Sequence, residues 1–334
     1  MRIPRRRPIY PWGDNDKLYF GTGSDYAIYF DGTAFRIDRG TTKALYINDD
    51  ETYLGDGAGD NITAGGGINN TLVGHDAGND LTIGDNNTIV GFEAMDAPAD
   101  VDNCVFVGYQ AGQANTQDDI TAVGYQALTD NTGVENTAVG YAALGDANTG
   151  QRNTAVGYEA LAANTSGEYN TAVGRIALQA NTLGLRNCGC GVATLRTLTS
   201  GDYNTAFGSF AGGDVAAGSD LCVYLGYSAG QANATNERLF IHNSSSAFPL
   251  IHGKFDDSEV RFGDGTDEFF FKFSRDANDA IIDTEQANTS IYLKPSGTGY
   301  VKFGTLVGTG DTVSNGHILI EDAGGTQRKV MITA

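Results

Sequence analysis

The amino-acid sequence predicts an all-β fold built around a repetitive solenoid, and three observations lead to that prediction. A motif close to N-T-A-V-G-Y-x-A-L recurs through the middle of the chain at intervals of 16 to 18 residues. The 334 residues include 46 Gly but only 6 Pro, a balance typical of repeated tight turns and not of collagen. Hydrophobic residues make up 40% of the chain and charged residues 19%, so the chain has enough apolar surface to form a core.

One glycine anchors each copy of the motif. These glycines are Gly74, Gly91, Gly108, Gly124, Gly140, Gly157, Gly174, Gly191, Gly208 and Gly226. Self-similarity at a fixed short period is the sequence signature of stacked repeats. We therefore assign residues 59–236 to a β-roll repeat shaft with coils of about 17 residues, the spacing of these glycines.

Two asparagine positions accompany the glycine. The first lies four residues before it, at Asn70, Asn87, Asn136, Asn153, Asn170, Asn187 and Asn204, and is replaced by Cys104, Ile120 and Cys222 in other copies. The second follows the glycine by seven or eight residues, at Asn115, Asn131, Asn148, Asn164, Asn181 and Asn233. Asn and Gly tolerate positive φ, so we expect them at the corners of each coil. Stacked in register at about 4.8 Å, the asparagines should form hydrogen-bonded ladders.

The period also suggests what fills each coil. About 17 residues suit two short strands joined by two turns, and alternation along the motif predicts that Val123, Val139, Val156 and Val173 stack on one face as buried residues. So narrow a coil holds few large side chains. We therefore expect an additional apolar stripe that needs a partner, formed by Leu128, Leu144, Leu161, Leu178 and Leu195. Threefold association would cover this stripe, which predicts an elongated homotrimer.

The sequence N-T-A-V-G, at Asn136–Gly140, Asn153–Gly157 and Asn170–Gly174, resembles the head repeat of YadA-type trimeric autotransporter adhesins. It is equally similar to repeats of phage tail-fibre proteins. The resemblance covers residues 68–233, roughly half of the chain, and implies a left-handed parallel β-roll and a trimer of chains. The sequence lacks a signal peptide, a heptad stalk and a C-terminal membrane anchor, so the phage branch is the expected one.

The flanking segments predict further β-structure. Residues 16–58 form the expected N-terminal β-module, where apolar residues alternate at Tyr26, Ile28 and Phe30, then Phe35 and Ile37, then Leu45 and Ile47. Residues 237–304 form the expected C-terminal β-module, with a second alternating run at Glu259–Phe273. Lys17–Asp25 and Glu259–Asp267 share the pattern F-G-x-G-x-D, which indicates one small module used twice and is similar to segments of phage structural proteins.

The last segment, residues 305–334, predicts a β-hairpin. Ile318 and Ile320 belong to its first strand, Ala323, Gly324 and Gly325 to its turn, and Val330 and Ile332 to its second strand. Its ending resembles the close of several phage fibre proteins.

Charge limits the class of partner. The net charge of −20 would repel nucleic acid along most of the surface. Residues 1–15 are the basic exception, with Arg2, Arg5, Arg6 and Arg7. They form either a solvated arm or an attachment segment for other virion proteins. No apolar run is long enough for a signal peptide or a membrane span, so we expect synthesis in a cytoplasm and no membrane insertion. The resemblance to phage fibre repeats implies a host cytoplasm and a place on the virion surface or tail.

The sequence contains no catalytic motif, so we predict a non-enzymatic protein without metal or cofactor. His75, His242, His252 and His317 lie far apart in the chain, and Cys104, Cys188, Cys190 and Cys222 are expected to be reduced core residues. Residues 55–67 resemble a single calcium-binding turn, but such sites need consecutive turns, so a flexible glycine lead is the preferred interpretation.

Two other functions were open alternatives. Paired carboxylates could serve a polysaccharide-degrading tailspike, but that chemistry needs a cleft that uniform coils do not offer. Ice binding could use a threonine ladder, although we expect that ladder to be interior or part of an interface. Its members are Thr71, Thr88, Thr137, Thr154, Thr171 and Thr205.

The resulting hypothesis is a virion fibre or tail appendage that attaches to a host surface. The N-terminal segment would bind the particle, the roll would act as a stiff spacer, and the C-terminal modules would contact a surface glycan or protein. A secreted or surface trimeric adhesin, a head decoration protein and a tail adaptor remain alternatives. The sequence does not assign receptor-binding residues.

Overall fold

A computed structural model describes residues 17–20, 26–39, 42–48, 50–62, 66–97, 100–232, 236–244, 250–254, 259–262, 269–273, 280–284, 317–321 and 327–331. Within these ranges every regular element is a β-strand, and no helix occurs that could cross a membrane. Strands β1 to β20 form one sheet in which each strand pairs with the next along the chain. The predicted all-β class is confirmed.

The sheet begins with antiparallel strands. These are β1 (Leu18–Phe20), β2 (Tyr26–Phe30), β3 (Phe35–Arg39) and β4 (Thr42–Ile47). A β-bulge lies between Ile37 and Asp38, where β3 pairs with β4. The three alternating apolar runs of the sequence therefore form strands, as predicted.

The middle of the sheet is a parallel solenoid of about 11 coils. Its strands are β5 (Thr52–Leu54), β6 (Thr71–Val73), β7 (Thr88–Val90), β8 (Val105–Val107), β9 (Thr121–Val123), β10 (Thr137–Val139), β11 (Thr154–Val156), β12 (Thr171–Val173), β13 (Cys188–Cys190), β14 (Thr205–Phe207), β15 (Val223–Leu225) and β16 (Arg238–Ile241). Equivalent residues of successive coils pair directly, as Ala138 does with Ala122 and Ala155. The predicted parallel repeat stack is confirmed.

The solenoid starts earlier than the glycine spacing indicated. Strand β5 already pairs in parallel with β6, and Gly55 has φ 143°, close to the values of the repeat glycines. A Cβ on Gly55 would lie 2.1 Å from the carbonyl oxygen of Gly74, as close as at the later repeat glycines. The segment that we expected to be a flexible lead therefore contains the first coil.

The inside of the coil differs from the prediction. In β9 to β12 the central alanine is fully buried, whereas the threonine before it and the valine after it face outward; the alanines are Ala122, Ala138, Ala155 and Ala172. A three-residue strand that turns its middle side chain inward must turn both neighbours outward. The valines stack on one face, as predicted, but that face points outward, so their predicted burial is wrong.

The leucines occupy the space that we had assigned to the valines. Leu128, Leu144, Leu161, Leu178 and Leu195 are all fully buried, and their φ angles are 48 to 51°. This left-handed backbone turns each leucine towards the buried alanines of its own and neighbouring coils. An external leucine stripe does not exist, so the argument that it requires a partner chain is wrong.

Each described coil contains one short strand, where we expected two. The rest of the coil turns at left-handed residues, and these include charged and aromatic side chains such as Glu135, Arg152 and Tyr169, with φ 58 to 59°. Outside the named strands, an isolated parallel bridge joins Asn131 and Asn148. Apart from this one-residue bridge, the described coils lack the expected second strand.

After β16 the sheet becomes antiparallel again, with β17 (Ile251–Lys254), β18 (Glu259–Phe262), β19 (Phe269–Phe273) and β20 (Ala280–Thr284). A separate unit contains β21 (His317–Glu321) and β22 (Gln327–Met331), which form an antiparallel pair with Ile318 opposite Val330. The two strands confirm the predicted C-terminal pairing. Residues 323–325, expected to form the turn, and Ile332 lie outside the described residues.

Candidate interaction surface

The first asparagine position ties each coil to the next from inside. Asn153 accepts a hydrogen bond from the backbone N–H of Asn170 at its Oδ1 (3.0 Å) and donates through Nδ2 to the carbonyl of Gly167 (2.9 Å). The asparagines of this position are at most 1% exposed: Asn70, Asn87, Asn136, Asn153, Asn170, Asn187 and Asn204. The predicted ladder exists, but each of these side chains bonds mainly to backbone groups of the next coil and not to the next asparagine side chain.

The second asparagine position forms a direct side-chain ladder. The Nδ2 of Asn131 donates to the Oδ1 of Asn115, and the same bond recurs between Asn148 and Asn131, Asn164 and Asn148, and Asn181 and Asn164, at 2.7 to 2.8 Å. This ladder confirms the prediction for these five residues. Asn233 lies outside the described residues.

The repeat glycines pack against one another at the corner after each strand. Their φ angles range from 115 to 149°. At Gly140 a Cβ would lie 2.4 Å from the carbonyl oxygen of Gly157. The corner therefore needs glycine both for its backbone conformation and for the close approach of the next coil.

The outward-facing side chains of the solenoid strands form two parallel rows, or ranks, which together we call the outer face. The first rank contains the residue before the central one in each strand: Thr52, Thr71, Thr88, Val105, Thr121, Thr137, Thr154, Thr171, Cys188, Thr205 and Val223. The second contains the residue after it: Leu54, Val73, Val90, Val107, Val123, Val139, Val156, Val173, Cys190, Phe207 and Leu225. The interior alternative for the threonine ladder is therefore wrong, whereas its place in an interface stays a prediction.

Both ranks continue into the antiparallel strands. The register places Leu54 beside Leu45, and then Ile37, Ile28 and Leu18 in turn. At the other end Leu225 continues through Ile241 and Ile251 to Phe262. No residue named in these ranks is charged, although the chain has a net charge of −20.

The N-terminal strands expose large apolar side chains on one side and hide polar ones on the other, which is the reverse of what an isolated sheet would favour. Phe30 and Phe35, a directly paired couple, are 46% and 43% exposed, whereas Tyr29 on the other side is buried. Arg36, also on that inner side, pairs with Asp38 (3.3 Å). A sheet that hides a tyrosine and an ion pair while exposing phenylalanines is expected to have its outer face covered.

The inner side also borders a cavity of about 440 Å³ whose lining includes Asp31 and Arg36. Burial alone would raise the pKa of Asp31, but hydrogen bonds from Thr33, Ala34 and Arg36 outweigh it and lower the pKa to about 2. Asp31 is therefore ionised and paired at neutral pH, and its contacts stabilise the turn between β2 and β3.

The four cysteines have two different environments, and all are free thiols. Cys104 and Cys222 are buried at the first asparagine position, as predicted. Cys188 is exposed and Cys190 is half-buried, since they occupy the two ranks of the outer face. The prediction of a core position is therefore wrong for this pair, because the flanking residues of each strand face outward.

A row of aromatic side chains runs beside the second rank, at the residue after each of the first six repeat glycines. Its members are His75, Phe92, Tyr109, Tyr125, Tyr141 and Tyr158, and neighbouring rings stack with centroids 5.0 to 5.5 Å apart. We call this row the aromatic ladder. The recurring tyrosine of the motif could have indicated it, because equivalent residues of stacked coils must be neighbours.

Two histidines have described side chains. His75 lies 2.7 Å from Asp76 and belongs to the aromatic ladder. The Nδ1 of His242 accepts a hydrogen bond from the backbone N–H of Leu250 (3.2 Å), and its Nε2 lies 2.6 Å from the hydroxyl of Ser244. In the neutral ring Nε2 therefore carries the proton and donates it, so His242 is not arranged as a base for Ser244. His252 and His317 lie on β17 and β21.

No group of three or more His, Cys, Asp or Glu side chains in the described part of the chain is placed to hold a metal ion. Aspartates that recur on successive coils serve the backbone: the carboxylate of Asp102 accepts from the N–H of Asp85, and that of Asp85 from the N–H of Ile68. The basic residues Arg2, Arg5, Arg6 and Arg7 lie outside the described residues.

Comparison with known proteins gives no relative. No protein-family model, no curated protein and no solved structure matches the chain. The candidate site is therefore assigned from geometry alone, and that site is the outer face.

Proposed function

We propose that the chain is a structural fibre component of a phage virion, a tail fibre or appendage that mediates attachment to a host surface. In this proposal the solenoid is the shaft and the outer face joins it to two further copies of the same chain. The observation that supports the proposal is the uncharged outer face, which continues across parallel and antiparallel strands alike.

Two reasons, one electrostatic and one geometric, favour another copy of the chain as the partner on this face. Chains with a charge of −20 repel one another, so they associate best where neither carries charge. A straight, in-register pair of ranks also fits the same ranks of another copy, since both repeat at one strand spacing. Three copies around a common axis would remove all three faces from water.

The test of self-association uses charge on the outer face. Val139 and Val156 face outward in consecutive strands, so replacing both with lysine leaves the coil interior intact. We expect the native chain to sediment as a trimer and the Val139→Lys, Val156→Lys variant as a monomer with an unchanged β-sheet circular dichroism spectrum. The control is Ser166→Lys, at an exposed turn away from the face, which should remain a trimer. A native monomer, or a lysine variant that still forms trimers, would contradict the arrangement.

The virion assignment has a separate test. Genes for tail or capsid proteins beside the coding sequence would support it, whereas genes for cellular export and surface anchoring would favour the trimeric adhesin. In either case the full chain should bind intact host cells. A chain that binds no host surface preparation would contradict the attachment role.

Ice binding is a second candidate because the threonine rank lies on the outside of the coil and not inside it. Thr71, Thr88 and Thr205 are exposed there. The rank is interrupted by Val105, Cys188 and Val223, and bulky Phe207 stands beside it, so it matches a regular lattice less well than it matches another protein face. Measurement of thermal hysteresis decides this candidate: a positive result would establish it, and freezing without hysteresis would eliminate it.

A further inference from the structure

The aromatic ladder contains a run of four phenols on consecutive coils. Tyr109, Tyr125, Tyr141 and Tyr158 have ring centroids 5.0, 5.1 and 5.0 Å apart, with interplanar angles of 5 to 9°. They are 41 to 45% exposed. Each phenol is therefore held parallel to the next one and is open to a reagent in solution.

The run has defined ends. Phe92 stacks below Tyr109, with centroids 5.5 Å apart, and has no hydroxyl. The guanidinium of Arg175 lies 5.4 Å from the ring centroid of Tyr158 at the other end. The ladder therefore contains three pairs of stacked, neighbouring phenols.

We propose that the aromatic ladder is a site of oxidative modification, at which a peroxide and a peroxidase join adjacent coils through dityrosine. The phenols are already neighbours in the folded chain, so coupling avoids the entropic cost of bringing two free phenols together. The site lies within one chain and does not depend on the proposed function.

The reaction balances with peroxide as the oxidant. Each of two neighbouring tyrosines loses one electron and its hydroxyl proton, and the two radicals form a carbon–carbon bond between ring positions ortho to the oxygens. The hydrogens on those carbons then move to the oxygens and restore two phenols. The two electrons and two protons reduce one peroxide molecule to two waters.

The cross-link should stabilise the shaft. It would connect consecutive coils covalently and restrict the unfolded chain in the way that a disulfide does. Because each tyrosine couples once in a dityrosine, the four phenols allow at most two such links per chain, between Tyr109 and Tyr125 and between Tyr141 and Tyr158.

Other tyrosines supply an internal control. Tyr169 and Tyr203 also lie on the surface, but Arg186 stands between them, with its guanidinium 5.2 and 5.4 Å from their ring centroids. These phenols are two coils apart and do not stack with each other. They should not couple within the chain, although they are at least 40% exposed.

The experiment treats the full-length chain with horseradish peroxidase and hydrogen peroxide, then measures dityrosine fluorescence and maps cross-linked peptides by mass spectrometry. We expect links between neighbouring ladder tyrosines, each with the loss of two hydrogen atoms, and a raised unfolding midpoint. The fluorescence yield per chain should not change when the protein is diluted tenfold, because the coupled groups belong to one chain.

The matched variants separate the ladder from its surroundings. Tyr125→Phe with Tyr158→Phe leaves no two adjacent phenols, and Phe92 shows that the ladder accepts phenylalanine. The yield of the intrachain cross-link should fall at least about tenfold in this double variant. The yield should be unchanged in the Tyr169→Phe, Tyr203→Phe variant. Predominant links at Tyr169 or Tyr203, a yield that falls with dilution, or an undiminished yield in the ladder double variant would overturn the proposal.

Discussion

At the scale of single residues, backbone conformation decides which side chains fill the coil. Leu144 has φ 48° and is fully buried, whereas Val139, in an extended strand five residues earlier, faces outward. Both are branched apolar residues, so hydrophobicity alone does not distinguish them. Gly140, between the two, turns the chain at φ 139° and allows the next coil to approach.

The first prediction concerns this glycine. Gly140→Ala would place a Cβ 2.4 Å from the carbonyl oxygen of Gly157 at a strongly positive φ. We expect a loss of about 2–4 kcal/mol in the free energy of unfolding, measured by urea denaturation. Gly218→Ala is the control, because its nearest neighbour atom lies 3.6 Å away, and it should change stability by less than about 0.5 kcal/mol. Equal effects of the two substitutions would contradict the close-approach argument.

At the scale of one coil, buried amides hold the strands in register. Where asparagine is replaced by Cys104, the thiol lies 3.2 Å from the carbonyl oxygen of Asp102 and takes part of the amide's role as a donor. Burial raises the pKa of Cys104 to about 12, so the thiol keeps its proton at neutral pH. Ile120 occupies the same position in another coil, where it is fully buried and has no side-chain donor, so the amide is not required in every coil.

The second prediction removes one rung of this ladder. Asn153→Ala would leave the N–H of Asn170 buried without its side-chain partner, whereas the carbonyl of Gly167 would keep its hydrogen bond from the Nδ2 of Asn164. We expect a cost of about 1–3 kcal/mol from the unsatisfied N–H, measured as the shift in the urea midpoint. Asn61→Ala is the control, since Asn61 makes an exposed bond to Asp80, and it should cost less than about 0.5 kcal/mol. A small effect at Asn153 would mean that water replaces the amide.

At the scale of the whole molecule, an uncharged outer face lies on a chain with a net charge of −20. Among the described residues, the sheet hides polar groups at Tyr29 and Arg36 and exposes apolar groups at Phe30 and Phe35. In an isolated chain this arrangement is unfavourable, since large contiguous apolar patches are uncommon on monomers. Association of copies would relieve it, and the natural thiols report on that association.

The third prediction uses those thiols. If the proposed trimer forms, Cys188 and Cys190 of the native protein should react slowly with a disulfide reagent at pH 8, because the partner copies would cover them. In the Val139→Lys, Val156→Lys monomer they should react at least about tenfold faster, whereas buried Cys104 and Cys222 stay protected until the chain unfolds. Equal rates at Cys188 in the two proteins, or a fast reaction at Cys104, would contradict this account.

The sequence by itself determined the all-β class, the period of the parallel stack, the asparagine ladders and the pairing of the two C-terminal strands. These features follow from the order of residue types, because stacking in register brings equal positions together. Only the tertiary structure decided which side of each strand faces inward. A three-residue strand has two possible orientations that differ by one position, and the left-handed turns at residues such as Leu144, which choose between them, leave no mark in the periodicity. The sequence therefore led to the repeat but assigned its valines and leucines to the wrong sides, and with them the surface on which the proposed association depends.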